Sequence, residues 1–206
     1  MEQRKPLFGS ALILAGGSGS RIGYDKKNLL LNGKSVIGSL IAGLHDVFDE
    51  IIVSSNNEFK CKDVIVLPDL IGAGPLAGIY QGLTRCNSEY LYVIACDMPF
   101  ISPDYIAFMK NALMPGGLCD ACVAQKEDGF LEPFNAFWKK SCTGPVRAAL
   151  ESGVYKIGPL LKRLRLCVIP PDAVKRFCAI RQADLFFNIN FGADLREAAV
   201  IKAKTP

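Results

Sequence analysis

The hydrophobic positions in the first half of the chain fall into four short runs, separated by polar or glycine-rich segments. These runs occupy Ala11–Ala15, Glu50–Ser54, Val64–Leu67 and Tyr90–Ala95. Short continuous runs rich in Ile, Leu and Val and bounded by turn residues are typical of strands buried on both faces. The pattern therefore predicts four buried strands.

Segments of helical character lie between or after these strands. Ser35 is placed to cap a helix that runs to about Leu44, and a second helix is expected to run through Leu83. Ser102-Pro103 is typical of the N-cap and first residue of a third helix. Strands that alternate with helices predict a mostly parallel sheet with right-handed crossovers, in a three-layer α/β/α, Rossmann-like fold.

The second half of the chain is less regular. Two strands are expected to pair around a turn at 127–129, and three helices and a late strand end are expected after them. The predicted strands are Cys122–Gln125, Phe134–Trp138 and the strand end Phe186–Asn190, and the predicted helices are Cys142–Ser152, Gly158–Leu164 and Asp194–Lys202. Because the sequence contains no repeat and no linker, we predict a single domain.

Several residues suited to binding follow the predicted strands directly. They are the glycine-rich loop after the first strand, Asp69, a second glycine-rich loop at Gly74–Gly78, and Asp97. Ligands of parallel α/β sheets bind at the carboxyl ends of the strands. These residues are distant in sequence, but the fold is expected to gather them at one edge.

The loop after the first strand combines several glycines with two cations, Arg21 and Lys26. Glycines allow backbone N–H groups to approach a ligand closely, and fixed cations balance its negative charge. The spacing does not match a dinucleotide fingerprint, because Gly23 comes one residue too late and no acid follows the second strand. A P-loop is also excluded, because Asn28 stands where its first glycine is required.

A third arrangement fits the loop. Arg21 and Lys26, together with Asp97 after a later strand, match a site where a nucleoside triphosphate is attacked at its α-phosphate. Negative charge then grows on the α-phosphate and on the leaving pyrophosphate, and fixed cations and Mg²⁺ stabilise it. Mg²⁺ needs only one or two carboxylates beside phosphates and water, and Asp97 is the candidate ligand.

Five blocks, in order along the chain, resemble the MobA family of molybdenum cofactor guanylyltransferases. They are LAGGSGSRIGYDK (14–26), PD (68–69), GAGPLAGI (72–79), IACDMPF (94–100) and NIN (188–190). The resemblance implies transfer of GMP from GTP to the terminal phosphate of molybdopterin, with Mg²⁺ as the cofactor. It also implies that about residues 8–110 bind GTP and metal and that about residues 111–206 bind the acceptor. Gly16 resembles the guanine-specific branch, because related cytidylyltransferases have Leu-Ala-Ala-Gly in the first block.

The resemblance also implies a role for each matching residue. Lys26 would bind the phosphates with help from Arg21, Asp69 would accept hydrogen bonds from guanine, and Asp97 would hold Mg²⁺. The residues expected at the nucleotide are Leu14, Ala15, Gly16, Gly17, Lys26, Asp69, Gly78 and Asp97. Asn188 and Asn190 are expected on the pterin side.

The chain departs from the family pattern at two places. Ser54 stands where family members often have an asparagine that touches the nucleotide, with Asn56 two positions later. Phe191-Gly192 replaces the Thr-Pro that usually follows the second asparagine of the last block. These differences concern the nucleotide contact after the second strand and the entry to the last helix.

Composition narrows the possible partners and location. The net charge is only +4, with the cations spread along the chain, so no nucleic-acid partner is expected. The sequence has no apolar stretch long enough for a membrane span and no signal-peptide core, so a cytoplasmic protein is expected. The eight cysteines are expected to be reduced and mainly structural, including the pair Cys119 and Cys122, although a zinc or redox role for that pair stays open.

Other functions also remain open. The nearest is a nucleotidyltransferase that uses CTP or a sugar phosphate. A second is a carrier that holds the molybdenum cofactor without catalysis and delivers it to a partner enzyme. For the guanylyltransferase itself, transient contact with cofactor-biosynthesis proteins or molybdoenzymes is a possible partnership. A third, an NAD(P)-dependent oxidoreductase, is disfavoured by the glycine spacing.

Overall fold

The computed structural model describes residues 6–16, 29–55, 61–68, 74–177, 181–190 and 192–204. The strands are β1 (Ser10–Leu14), β2 (Leu30–Leu31), β3 (Lys34–Ser35), β4 (Glu50–Ser54), β5 (Ile65–Leu67), β6 (Tyr90–Ala95), β7 (Ala121–Gln125), β8 (Leu131–Lys139) and β9 (Leu166–Ile169). The helices are α1 (Val36–His45), α2 (Gly74–Arg85), α3 (Pro103–Leu113), α4 (Thr143–Glu151), α5 (Ile157–Leu161), α6 (Pro171–Phe177), α7 (Gln182–Leu185) and α8 (Gly192–Lys204).

Seven strands form one sheet in the order β5-β4-β1-β6-β8-β7-β9. The first four are mutually parallel, β8 is antiparallel to both β6 and β7, and β9 is parallel to β7. The predicted mostly parallel α/β sheet is therefore confirmed. We call the edge where β1, β4 and β6 end the carboxyl edge.

Helices cover both faces of this sheet. On one face Leu12 packs against Gly82 of α2. On the other face Tyr92 of β6 stacks on Phe48, which follows α1, with ring centroids 5.3 Å apart. Burial on both sides explains why β1 and β6 are continuous apolar runs rather than alternating ones.

The sequence signals for helix starts are confirmed. The Ser35 side chain accepts a hydrogen bond from the Gly38 N–H at the start of α1. Ser102 does the same for the Tyr105 N–H, with Pro103 in the first turn of α3. Both serines satisfy N–H groups that the first helical turn leaves without a partner.

Three expectations about local structure were wrong. The predicted strand Val64–Leu67 is not buried: β5 is an edge strand paired only with β4, and Val66 is exposed. Phe186–Asn190 is not a strand end but an irregular segment after α7, because both edges of β6 are already paired with β1 and β8. Gly74–Gly78 is not a loop but the first turns of α2, where Pro75 needs no N–H partner. The predicted Gly158–Leu164 helix is shorter, and β2, β3, β9, α6 and α7 were not anticipated.

Within the described ranges, the helices are too short or too polar for any of them to cross a membrane.

Candidate active site

The carboxyl edge brings the end of β1 between two neighbouring strands. Leu14 lies opposite Ser54 of β4 and Ala95 of β6. The Ala15 N–H donates to the Ser54 carbonyl oxygen at 2.8 Å, and the Cys96 N–H donates to the Leu14 carbonyl oxygen at 3.0 Å. These bonds fix the backbone of 14–16, which the sequence assigns to the nucleotide, against both neighbours.

Gly78 lets α2 approach this strand end closely. A Cβ atom at position 78 would lie 2.5 Å from Leu14 Cδ2 and 3.1 Å from Ser54 Oγ. Both distances are shorter than ordinary contacts, so a side chain there would push α2 away from β1. Gly78 therefore lies in a helix that packs directly against Leu14, and its role at the nucleotide stays a prediction.

The Ser54 hydroxyl is a polar group for which the sequence predicted no contact. Its Oγ is buried and has no hydrogen-bond partner within the described ranges. A buried hydroxyl without a partner is costly in a packed core. Ser54 therefore offers a donor at the carboxyl edge, beside Leu14 and Gly78.

Asp97 follows β6 in a tight turn. The Met98 N–H closes the turn on the Ala95 carbonyl oxygen at 3.0 Å. The Asp97 carbonyl oxygen accepts a hydrogen bond from the Ile189 N–H at 2.8 Å. The turn places the Asp97 carboxylate at the carboxyl edge, and its backbone ties this edge to the chain near the C-terminus.

Glu132 is a second carboxylate near Asp97 that sequence reasoning missed. It lies near the start of β8, which runs antiparallel to β6, and only 6% of it is exposed. Its Oε1 accepts from the Phe134 N–H at 3.2 Å. Burial raises the pKa of Glu132, and the negative charge of Asp97 adds to this effect. An acid inside the apolar Leu131–Trp138 run was the signal available in the sequence.

The segment 186–190, here called the acceptor segment, holds both asparagines expected on the pterin side. Asn188 is half-buried, and its Nδ2 donates to the Phe186 carbonyl oxygen at 3.1 Å. Asn190 is exposed, and its N–H donates to Asp194 Oδ2 at 2.6 Å, at the start of α8. Ile189 between them carries the bond to Asp97, so the asparagines flank that carboxylate turn.

Four other expected site residues lie outside the described residues. They are Gly17, Arg21, Lys26 and Asp69. Asn56 is outside them as well. The roles of these residues remain predictions from the sequence.

The donor chemistry near the carboxyl edge suits a hard cation. Asp97 and Glu132 supply carboxylate oxygens, which Mg²⁺ prefers. Across the ranges that the structure describes, no three His, Cys, Asp or Glu side chains are grouped to hold a metal. A single metal shared between one or two carboxylates and triphosphate oxygens remains compatible with this set.

A third cysteine, Cys167, lies beside the Cys119/Cys122 pair. Cys122 lies opposite Cys167 in the β7–β9 ladder. Interaction with the Cys122 thiol lowers the pKa of Cys167 to about 7, while interaction with Cys167 and burial raise the pKa of Cys122. No disulfide joins cysteines of the described ranges. The Cys167 thiol lies 4.0 Å from the Ala112 carbonyl oxygen, so the cluster packs against α3.

A groove of about 540 Å³ opens at the opposite edge of the sheet. Glu50 lies within it and accepts hydrogen bonds from the Ser10 hydroxyl at 2.6 Å and from Asn87 at 2.8 and 3.0 Å. Arg85 lies 3.5 Å from the same carboxylate. Because these partners satisfy Glu50, its role is to fasten β1, β4 and α2 together.

The sequence is similar to that of known nucleotidyltransferases. Residues 11–166 match the family described as the MobA-like NTP transferase domain. A probable molybdenum cofactor guanylyltransferase of Peptoclostridium acidaminophilum is 40% identical over 198 residues, which cover 93% of this chain and 88% of the relative. A molybdenum cofactor guanylyltransferase of Syntrophotalea carbinolica is 33% identical, with 92% and 90% covered.

Among solved structures, the molybdopterin-guanine dinucleotide biosynthesis protein A of Archaeoglobus fulgidus is similar with a TM-score of 0.78 and 27% identity. The similarity covers 95% of this chain and 99% of that protein. The 2-C-methyl-D-erythritol 4-phosphate cytidylyltransferase of Thermus thermophilus has a TM-score of 0.70 at 16% identity and covers 96% and 100%. At that identity, the second similarity concerns the fold alone.

Proposed function

The chain belongs to the MobA-like NTP transferase family, and on this premise we propose that it transfers GMP from GTP to molybdopterin carrying molybdenum. The products are the molybdopterin guanine dinucleotide cofactor and pyrophosphate. The names of the relatives from Peptoclostridium and Syntrophotalea support this activity.

The main support for this proposal is the hydrogen bond between Ile189 and Asp97. It joins the acceptor segment to the turn that follows β6. The backbone at Leu14 lies beside the same strand, because the Cys96 N–H donates to its carbonyl oxygen. A nucleotide at Leu14 and an acceptor at Asn188 and Asn190 would therefore meet at Asp97, as a transfer between two substrates requires.

The transfer is a substitution at phosphorus. A terminal phosphate oxygen of molybdopterin attacks the α-phosphorus of GTP; the new P–O bond forms as the bond to the β-phosphate oxygen breaks, and pyrophosphate leaves. Lys26 and Arg21 would stabilise the charge that grows on the α-phosphate and on pyrophosphate. The backbone N–H groups at 14–17 would orient the nucleotide.

Magnesium is the metal we propose, with Asp97 as its protein ligand and the Glu132 carboxylate nearby. When bound, the ion would neutralise negative charge on the phosphate oxygens. The half-buried Asp97 carboxylate fits the ion because it is an oxygen donor at the edge where the phosphates would lie.

Guanine recognition is assigned to Asp69. Its carboxylate would accept hydrogen bonds from the N1–H and 2-amino groups of guanine, a pair of donors that cytosine does not present. Gly16 would allow the backbone to approach the nucleotide at the position where related cytidylyltransferases have alanine. We propose that the protein acts in the cytoplasm.

Release of pyrophosphate tests this function. A mixture of the protein, GTP, Mg²⁺ and molybdopterin is expected to form pyrophosphate as the acceptor is consumed. A carrier protein would bind the cofactor without forming pyrophosphate, and a cytidylyltransferase would require CTP.

A further inference from the structure

We propose that Asn135 is a positioning residue for the acceptor: its side chain holds the start of the acceptor segment against the sheet, and so sets where Asn188 and Asn190 lie. The inference rests on the proposed function, because that function makes 188–190 the pterin side. It concerns a residue that no motif of the sequence singled out.

Asn135 occupies an irregular part of β8. Cys122 of β7 pairs with Phe137, but two residues later Ala124 pairs with Glu132, so the intervening part of β8 bulges out of register. Asn135 lies within this bulge with a φ of 50°. Left-handed backbone is unfavourable for most side chains and is tolerated by asparagine. Bulges commonly redirect a side chain near a functional site.

Both ends of the Asn135 amide are used. Its Oδ1 accepts a hydrogen bond from the Tyr92 hydroxyl, and its Nδ2 donates to the Leu185 carbonyl oxygen at 3.0 Å. Tyr92, Asn135 and Leu185 are all fully buried. Asn135 therefore bridges β6 and the last residue of α7 in a site without water access.

The acceptor segment starts directly after Leu185. It is thus fastened at its beginning by Asn135 and near its end by the bond between the Ile189 N–H and the Asp97 carbonyl oxygen. Asn188 lies between these two attachments. Loss of the first attachment would leave the Leu185 carbonyl group buried without its donor, and the segment would shift to recover one.

The chain contains a matched control for this network. Tyr90 lies two residues before Tyr92 on the same face of β6, is equally buried, and its hydroxyl donates to the Cys119 carbonyl oxygen at 2.9 Å. Tyr90→Phe removes a partly buried tyrosine hydrogen bond at the start of the same strand. Tyr92→Phe removes the bond to Asn135.

The experiment measures dissociation constants for molybdopterin and for GTP separately. Asn135→Gly, which keeps the left-handed backbone and removes the amide, is expected to weaken molybdopterin binding on the order of tenfold. Tyr92→Phe is expected to weaken it less, and the double variant no more than Asn135→Gly alone. GTP affinity is expected to stay at the wild-type value in all three variants. In Tyr90→Phe, the affinities for GTP and for molybdopterin are both expected to stay at the wild-type value.

Unchanged molybdopterin affinity in Asn135→Gly would overturn the inference, as would equal losses for GTP and molybdopterin. If Asn135→Gly does not fold, the molybdopterin affinities of Tyr92→Phe and Tyr90→Phe are compared instead. Weaker binding in Tyr92→Phe alone supports the inference, and equal affinities overturn it. Direct binding separates the two proposals: wild-type protein that binds molybdopterin but forms no pyrophosphate contradicts the proposed function, while the variants still decide the role of Asn135.

Discussion

The Ile189 N–H donates to the Asp97 carbonyl oxygen at 2.8 Å. This bond joins the turn after β6, where the metal carboxylate is expected, to the segment expected to hold the pterin. The two residues come from opposite halves of the chain, so the fold, rather than any local motif, brings the two sides of the proposed reaction together.

Replacement of Asp97 tests the metal assignment. Asp97→Ala is expected to lower kcat at least about a hundredfold, because charge on the transferring phosphate loses its main support. The melting temperature is expected to stay close to wild type, since this half-buried side chain follows the strand rather than filling the core. Asp128→Ala, which removes an exposed carboxylate of the β7–β8 turn, is the control. Near-normal turnover in Asp97→Ala contradicts the assignment.

Two glycines of α2 separate a packing effect from a binding effect. A Cβ at Gly82 would lie 2.7 Å from Leu12 Cδ2, and one at Gly78 would lie 2.5 Å from Leu14 Cδ2. Each substitution by alanine is expected to lower the free energy of unfolding by about 1–3 kcal/mol. Only Gly78→Ala is expected to raise the KM for GTP several-fold, because Leu14 begins the nucleotide segment. Equal KM values in both variants would count against the placement of GTP.

Lys26 and Lys27 are adjacent cations with different expected roles. Lys26→Ala is expected to weaken GTP binding about tenfold or more and to slow turnover, because a charge-assisted contact to phosphate is lost. Lys27→Ala is expected to leave both quantities near wild type. Titration with GTP and initial rates distinguish them, and an unaffected Lys26→Ala protein means that the phosphate site lies elsewhere.

The free energy of unfolding at alkaline pH is expected to depend on the pKa of Tyr90. Burial raises its pKa from 10.0 to about 12. Between these values the unfolded chain has released the phenol proton and the folded protein keeps it, so stability falls as the pH rises from 10 to 12. The contribution is about 2 kcal/mol at most.

Tyr90→Phe lacks this contribution. The advantage of wild type over the variant in urea unfolding is therefore expected to shrink between pH 10 and pH 12. A difference that stays constant over this range would show that the phenol has an ordinary pKa.

The sequence predicted the central strands and the helix starts well. β1, β4 and β6 are continuous apolar runs because helices cover both faces, and that burial is visible residue by residue in the sequence. Ser35 and Ser102 cap helices through bonds to residues three positions away. Features that local contacts determine could therefore be predicted from the sequence.

Features set by distant contacts could not. Phe186–Asn190 alternates polar and apolar positions like a strand, but the neighbouring strand had no unpaired edge left. Asn135 and Glu132 gain their roles from the irregular register of β8 against β7, which no local pattern encodes. Their proximity to Leu185 and Asp97 follows from the tertiary fold alone.

Pyrophosphate release by the wild-type protein with Mg²⁺ and molybdopterin, measured in parallel with GTP and with CTP, tests the proposed transfer most directly. Pyrophosphate is expected to form with GTP in step with consumption of molybdopterin, and CTP is expected to support little or no reaction. Absence of pyrophosphate with GTP, or faster release with CTP, would contradict the proposed transfer.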